Sequence, residues 1–417
     1  MRHTFHLITL SAFLLFSVSS FAKGYNFAQL NEDSMASMKV ILKDLKATKQ
    51  QRKAYNALLA NANKALKRKA ESVVYKSLIP PSKDKHDYLS ISRYWWPNEN
   101  TPNGLPWVQK KGQANPSTKT DQVDRTRLDR TIRNIRSLAL AYYFSGNEPY
   151  AKKGVELVDT WFINDKTFMN PHLEYAQLVP GKKGSRSAGI IDGRGIGIYV
   201  MDAVKILKQT KYWDEDKELF FNEWVSEYLD WLVKSRLGEQ ASEKKSNHGT
   251  WYLLHVAGVA WYINDIDTVK SMSVLAEKLI DQQIDSTGLF VHEVDRSDSF
   301  FYSAFNMEGL SRLSMITSKV GSNLWRYKND KNIGIIDALN YLAKYSKGDV
   351  KWPHSKSLSQ LAVMPNLFIR ANNALGKDNY KSLLRIDPYK KTKYGKASSY
   401  NEEQEIERYL LNPQRSF

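Results

Sequence analysis

WYLLHVAGVAW, residues Trp251 to Trp261, is apolar on every face of a helix. A surface helix keeps a polar stripe toward water, so this composition describes a buried element. YAKKGVELV, Tyr150 to Val158, is the opposite case: its charged residues fall on one side, and it belongs outside. Apolar residues recur three and four apart in Leu128–Phe144, Tyr150–Phe162, Gly197–Leu207, Leu219–Leu232, Trp251–Ile263, Val269–Ile284, Phe300–Ile316, Ile335–Tyr345 and Leu358–Leu375. Breakers separate them at Gly146-Asn147, Lys208 to Thr210, Gly238, Asn264-Asp265, Gly288, Gly321 and Gly348. Strand-like alternation is scarce, and Leu289 to Val294 is its best short candidate. Inner and outer helices alternating in pairs predict an all-α fold, an incomplete (α/α) toroid with a cleft at one end. A plain helical bundle or repeat array is the alternative.

The chain carries 61 Lys and Arg against 44 Asp and Glu, a net charge of +17. A surface that basic gathers polyanions. Nucleic acid would lead for an intracellular protein, but the N-terminus points elsewhere. Arg2 precedes an apolar run from Leu7 to Val18, shorter than the roughly 20 residues of a membrane span. Ser20-Phe21-Ala22 then offers small residues where a signal peptidase reads. Residues 1–22 are therefore expected to be a cleaved signal peptide, without stable membrane insertion. The product would be periplasmic or secreted, and its partner an anionic polysaccharide rather than nucleic acid. With no cysteine there is no disulfide, thiolate metal site or lipidated cysteine. No Gly/Ser- or Pro-rich linker divides residues 23–417, which predicts one domain. The tail after Ile386 is polar and is expected to wrap the surface or fray.

No cofactor is expected: the histidines lack metal-ligand spacing, and neither a phosphate loop nor GxSxG occurs. Three clusters remain. In SNHGTW (Ser246–Trp251), Asn247 is placed as N-cap of the buried helix, so Asn247 and His248 sit at a positive helix end that suits a carboxylate. An ordinary cap followed by a core histidine is the plainer reading. In His292–Tyr302, Arg296 can fork onto a carboxylate, and Tyr302 is a candidate acid/base if a cation lies beside it. In His86–Asn98, Arg93, Tyr94, Trp95 and Trp96 precede Pro97 and suit a loop whose rings either stack on sugars or pin the loop to the core.

These stretches resemble the alginate lyase family of polysaccharide lyases, across roughly Asp87 to Trp352. The likeness rests on DYLSISRYWWPN (Asp87–Asn98), MNPHLEYAQLVPG (Met169–Gly181), GIIDGRG (Gly189–Gly195), NHGTW (Asn247–Trp251) and the Arg296 to Tyr302 segment. The resemblance implies an (α/α) toroid. It also implies that Asn247 and His248 contact the substrate carboxylate, that Arg296 stands beside the catalytic residue Tyr302, and that Trp251 follows the Asn-His pair as in part of the family. His172, Gln177, Arg186 and Arg194 are motif residues that would line the cleft with Arg93, Tyr94, Trp95 and Trp96. The Arg296–Tyr302 interval is one residue shorter than in the best-known bacterial alginate lyases, which suggests a branch that includes glucuronan-cleaving enzymes.

Lyases remove the C5 proton, α to a carboxylate, and expel O4. Donors on the carboxylate stabilise the enolate-like charge, as an oxyanion hole does. A base takes the proton and an acid serves the leaving oxygen. In β-D-mannuronate the C5 proton and O4 share one face, so Tyr302 alone can make both transfers. Where they lie on opposite faces, His248 would act as base opposite Tyr302. A glycoside hydrolase would instead need two facing acids, for which Glu174, Asp192, Glu293 and Asp295 are available. A non-catalytic polyanion binder is the third reading.

Overall fold

The computed structural model describes residues 24–413 apart from 355–357, 360, 396–397 and 400. The expected signal peptide lies outside the described residues. After α1 (Glu32–Lys43), five outer–inner helix pairs follow in order. They are α2 (Lys49–Leu66) with α3 (Arg125–Ser145), and α4 (Glu148–Val158) with α5 (Met201–Leu207). Next come α6 (Glu215–Lys234) and the short α7 (Arg236–Ser242) with α8 (Asn247–Tyr262), then α9 (Ile266–Gln283) with α10 (Ser299–Thr317). The last pair is α11 (Ile335–Ala343) with α12 (Met364–Leu375), and α13 (Glu402–Ile406), continued by a π-helical turn at Glu407–Leu411, is the last α-helix among the described residues. Burial separates the layers. Every residue of α5 is buried, as is all of α8 except His248, whereas α2 buries only Ala54, Leu58, Ala62 and Ala65. The architecture is the (α/α) toroid that the apolar pattern predicts.

Local chemistry sets the boundaries. Gly146 closes α3 and Gly376 closes α12, both left-handed, the conformation in which a side chain is strained. Asp214 and Asp265 cap α6 and α9 by accepting the backbone N–H of Lys217 (2.9 Å) and Thr268 (3.0 Å). The inner ring is narrow enough that α8 meets the π-helical turn Ile196–Val200 backbone to backbone. A Cβ on Gly258 would stand 2.2 Å from the Gly197 carbonyl oxygen, so even Gly258→Ala must push these elements apart.

The base of the toroid is closed by polar anchoring. Buried Asp202 accepts the backbone N–H groups of Ala28 (2.6 Å), Gln29 (2.7 Å) and Leu30 (3.1 Å), and Trp261 Nε1 donates to the Asn26 carbonyl. A buried carboxylate is tolerable only when bonded in this way. At the other end, where α3, α8 and α10 begin, two short strand pairs form the rim. β1 (Leu89–Ile91) runs parallel to β4 (Tyr175–Leu178), and β2 (Trp95–Trp96) pairs antiparallel with β3 (Val108–Gln109). Among the described residues no helix is long and apolar enough to cross a membrane.

Several expectations need correction. Leu289–Val294 is not a strand: Phe290 makes one isolated bridge to Ile284, and turns follow. Gly238 lies inside α7 rather than in a break. The tail does not simply wrap the surface. Glu407 is buried, with Arg312 Nη2 at 2.5 Å and the Arg370 guanidinium also bonded to it, so the last turn is an inner element. Removing one partner of such a buried pair costs about 3–5 kcal/mol. The helices α1 and α2 are not among the expected ones: α1 buries only Met35 and Met38, and the buried stripe of α2 is mostly alanine.

Candidate active site

α8 starts one residue earlier than a cap at Asn247 would require. Ser246 takes the cap position, and Asn247 is the first helical residue. Its side chain does not cap the helix; Nδ2 donates to both carboxylate oxygens of Glu293, each at 2.8 Å. The backbone N–H of Asn247 donates to Glu293 Oε1 at 2.7 Å, so the positive helix end already holds an internal carboxylate. Glu293 is completely buried; burial raises its pKa, and the Asn247 hydrogen bonds oppose that rise. The carboxylate therefore binds the α8 N-terminus to the loop that carries Arg296, whose backbone N–H donates to the Glu293 carbonyl at 3.3 Å.

α10 carries the opposing wall. Its first turn presents Tyr302, and the Arg296 guanidinium carbon lies 3.8 Å from the centre of that ring. An arginine over an aromatic face is held by the ring's quadrupole and still offers its edge to a carboxylate. From the segment between β1 and β2, the Tyr94 hydroxyl stands 2.9 Å from the Tyr302 hydroxyl. Burial, and then that hydroxyl pair, hold the Tyr94 phenol above its ordinary range. One turn further along each helix, Trp251 and Phe305 stack with centroids 4.4 Å apart, and the Arg194 guanidinium sits 5.6 Å from the Trp251 ring. Trp251 is only 3% exposed, so it is wall rather than open platform.

His248 is the one residue of α8 that is only half-buried, and its ring reaches inward into a cationic environment. Burial, then the charges of Arg296 and Lys244, push its imidazole down to about 4. Asp192 and Arg186 also bear on it. Asp192 is a hub: it accepts from Ser90 Oγ (2.7 Å) and Gln177 Nε2 (2.7 Å) and pairs with Arg125 at 3.1 Å. Gln177 adopts a left-handed backbone (φ 52°), a strained position for a side-chain residue, and its N–H donates to Ser90 Oγ. Arg186 Nη1 donates to Ser92 Oγ at 2.6 Å, and Arg194 Nη1 to the Ile191 carbonyl at 2.8 Å.

The aromatic loop forms a strand pair above this floor. Trp95 lies under Lys182 (4.3 Å) and Arg186 (5.7 Å), and Trp96 donates its Nε1 to the Gln113 carbonyl with Lys110 alongside. Arg93 is exposed, 5.5 Å from the Tyr94 ring. Asn247, His248, Arg296, Tyr302 and Tyr94 are thus brought together. His172 stands apart from them: it pairs with Asp87 at 2.9 Å and lies 6.1 Å from Trp231 of the outer helix α6. Two contributions escaped sequence reasoning. Lys182, just after the MNPHLEYAQLVPG motif, supplies a cation to the aromatic loop. Glu293 was legible only as a stray acid three residues before Arg296. Of the four acids available to a hydrolase, Glu293 and Asp192 are committed to internal donors, which leaves Glu174 and Asp295.

Comparison with known proteins bears on the family and the fold. The alginate lyase family matches residues 72–352. The crystal structure of an alginate lyase from Bacteroides ovatus is 28% identical, with a TM-score of 0.83, over 94% of this chain and 100% of that one. A variant of alginate lyase A1-III, an enzyme of Sphingomonas species A1, complexed with a tetrasaccharide, shares the fold at 12% identity and a TM-score of 0.57, over 96% of this chain and 98% of that one. No curated protein matches. With motifs, toroid and family match in agreement, the chain belongs to the alginate lyase family and is a polysaccharide lyase.

Proposed function

We propose that the protein cleaves a 1,4-linked uronic-acid polymer, with mannuronate-rich alginate as the leading substrate, by β-elimination at the cleft between α8 and α10. The observation that carries this reading is the Tyr302 hydroxyl, flanked by Tyr94 at its oxygen and, on its ring, by Arg296, the same cation that bears on His248 at the start of α8.

The substrate carboxylate takes donors from Arg296, Asn247 and neutral His248, which lowers the cost of charge on C5. Tyr302 removes the C5 proton and returns a proton to O4, and Tyr94, held protonated by burial, donates to the Tyr302 oxygen while it is charged. β-D-Glucuronate differs from β-D-mannuronate only at C2, so both present the C5 proton and O4 on the same face. A single tyrosine serves either polymer, and glucuronan is the second substrate to test. Guluronate places the two on opposite faces and would need His248 as base; an imidazole pushed down to about 4 is neutral but weakly basic, which favours the same-face substrates. The basic surface draws the polyanion in. The same reading takes residues 1–22 as a leader removed on export to the periplasm or beyond, and 23–417 as one catalytic domain.

The test is ultraviolet absorbance of the enzyme lacking residues 1–22 on polymannuronate, polyguluronate and glucuronan. A rise on polymannuronate supports the reading, a rise on glucuronan alone transfers it to that polymer, and shortened chains without absorbance would mean hydrolysis.

A further inference from the structure

We propose that Glu293 is a positioning residue that fixes which end of the Asn247 amide meets the substrate. A carboxylate has only acceptors, so it admits the NH2 of Asn247 and rejects the carbonyl oxygen. Nδ2 is 2.8 Å from each Glu293 oxygen and therefore lies on the carboxylate's bisector. The better-aligned arrangement there points one N–H between the two oxygens, which directs the second N–H away from Glu293. Turning the amide over would set Oδ1 against two carboxylate oxygens, a repulsion that bulk solvent screens little, because Glu293 is wholly buried and Asn247 is 1% exposed. The Asn247 backbone N–H, also bonded to Glu293, holds the first turn of α8 in register with the carboxylate. The Glu293 carbonyl accepts from the Arg296 N–H, so one residue spaces the two donors that the uronate carboxylate would meet.

This inference rests on the reading that Asn247 donates to that carboxylate. If Glu293 acts only through Asn247, the two residues must be energetically coupled rather than additive. Glu293→Gln keeps the size but offers a donor, which lets the Asn247 amide turn over. Initial rates for the wild type, Glu293→Gln, Asn247→Ala and the double variant, on the polymer the wild type cleaves, form the cycle. Glu293→Gln is expected to lower kcat roughly 10–100-fold, the scale seen for residues that orient metal ligands, with KM within a few-fold. The double variant should be no slower than Asn247→Ala alone. Glu293→Asp, which retains the acceptor, should be faster than Glu293→Gln. Losses that multiply in the double variant, a Glu293→Gln enzyme at the wild-type rate, or Glu293→Asp slower than Glu293→Gln would each overturn the assignment. An Asn247→Ala enzyme at the wild-type rate would remove the role of Asn247 itself, and this inference with it.

Discussion

The α8 wall reaches the cleft from a helix buried on all sides, with Asn247 bonded into place by a buried carboxylate. The α10 wall is looser: Tyr302 is half-buried in the first turn and is held by a stacked guanidinium and by one hydroxyl from a rim loop. The contrast matches two tasks. Stabilising a developing charge needs fixed donors that do not reorganise during the reaction. Moving a proton between C5 and O4 needs a group that can approach a substrate threaded through an open cleft, and loops supply such access. On the proposed reading, one wall serves charge and the other transfer.

Removing the transfer group should have the largest effect. Tyr302→Phe should cut elimination roughly 10²–10⁴-fold, the range for general acid–base groups, while polymer binding measured by retention or calorimetry stays near normal. Loss of a charge-stabilising donor comes next: Arg296→Ala should lower kcat/KM roughly 10²–10³-fold. If Arg296→Ala proves the more damaging of the two, the division of labour between the walls is wrong. Tyr94→Phe removes one hydrogen bond to a charged oxygen, about 1.5 kcal/mol, and should cost about ten-fold in kcat. Lys182→Ala, which leaves Trp95 without its nearest cation, should raise KM only a few-fold and leave kcat unchanged.

The smallest effect expected is on pH. Unfolded, the His248 imidazole titrates near 6.5, but in the folded protein it is pushed down to about 4. Protonation therefore costs folding nothing above about 6.5 and destabilises it progressively as pH falls toward 4, the window in which the unfolded state binds the extra proton. For catalysis, kcat/KM should show no inflection from His248 between pH 7 and 5. An NMR titration of His248 with a midpoint near 4 supports this, and a midpoint near 6.5 contradicts the buried, cation-flanked setting.

The fold was largely legible because inner and outer helices differ in composition: WYLLHVAGVAW can only be buried. The α2 helix was missed because its buried stripe, Ala54, Leu58, Ala62 and Ala65, is mostly alanine and weakly apolar. In the site, Asn247, His248, Arg296 and Tyr302 were visible as motif residues. What bonds them was not. Tyr94 and Tyr302 are separated by more than half the described chain, and nothing local in either segment announces the pairing. Glu293 sat in a run dense in charge, where sequence cannot tell a solvated carboxylate from one turned inward onto Asn247. The misplaced cap at Asn247 has the same origin, since an asparagine that begins a buried helix can cap it or be drawn away by a tertiary partner.

The most direct measurement is the rate of ultraviolet absorbance on polymannuronate, polyguluronate and glucuronan, with Tyr302→Phe run beside the enzyme lacking residues 1–22. The account predicts a rise on polymannuronate or glucuronan that Tyr302→Phe abolishes. A rise that survives Tyr302→Phe, or chain shortening with no rise at all, would contradict it.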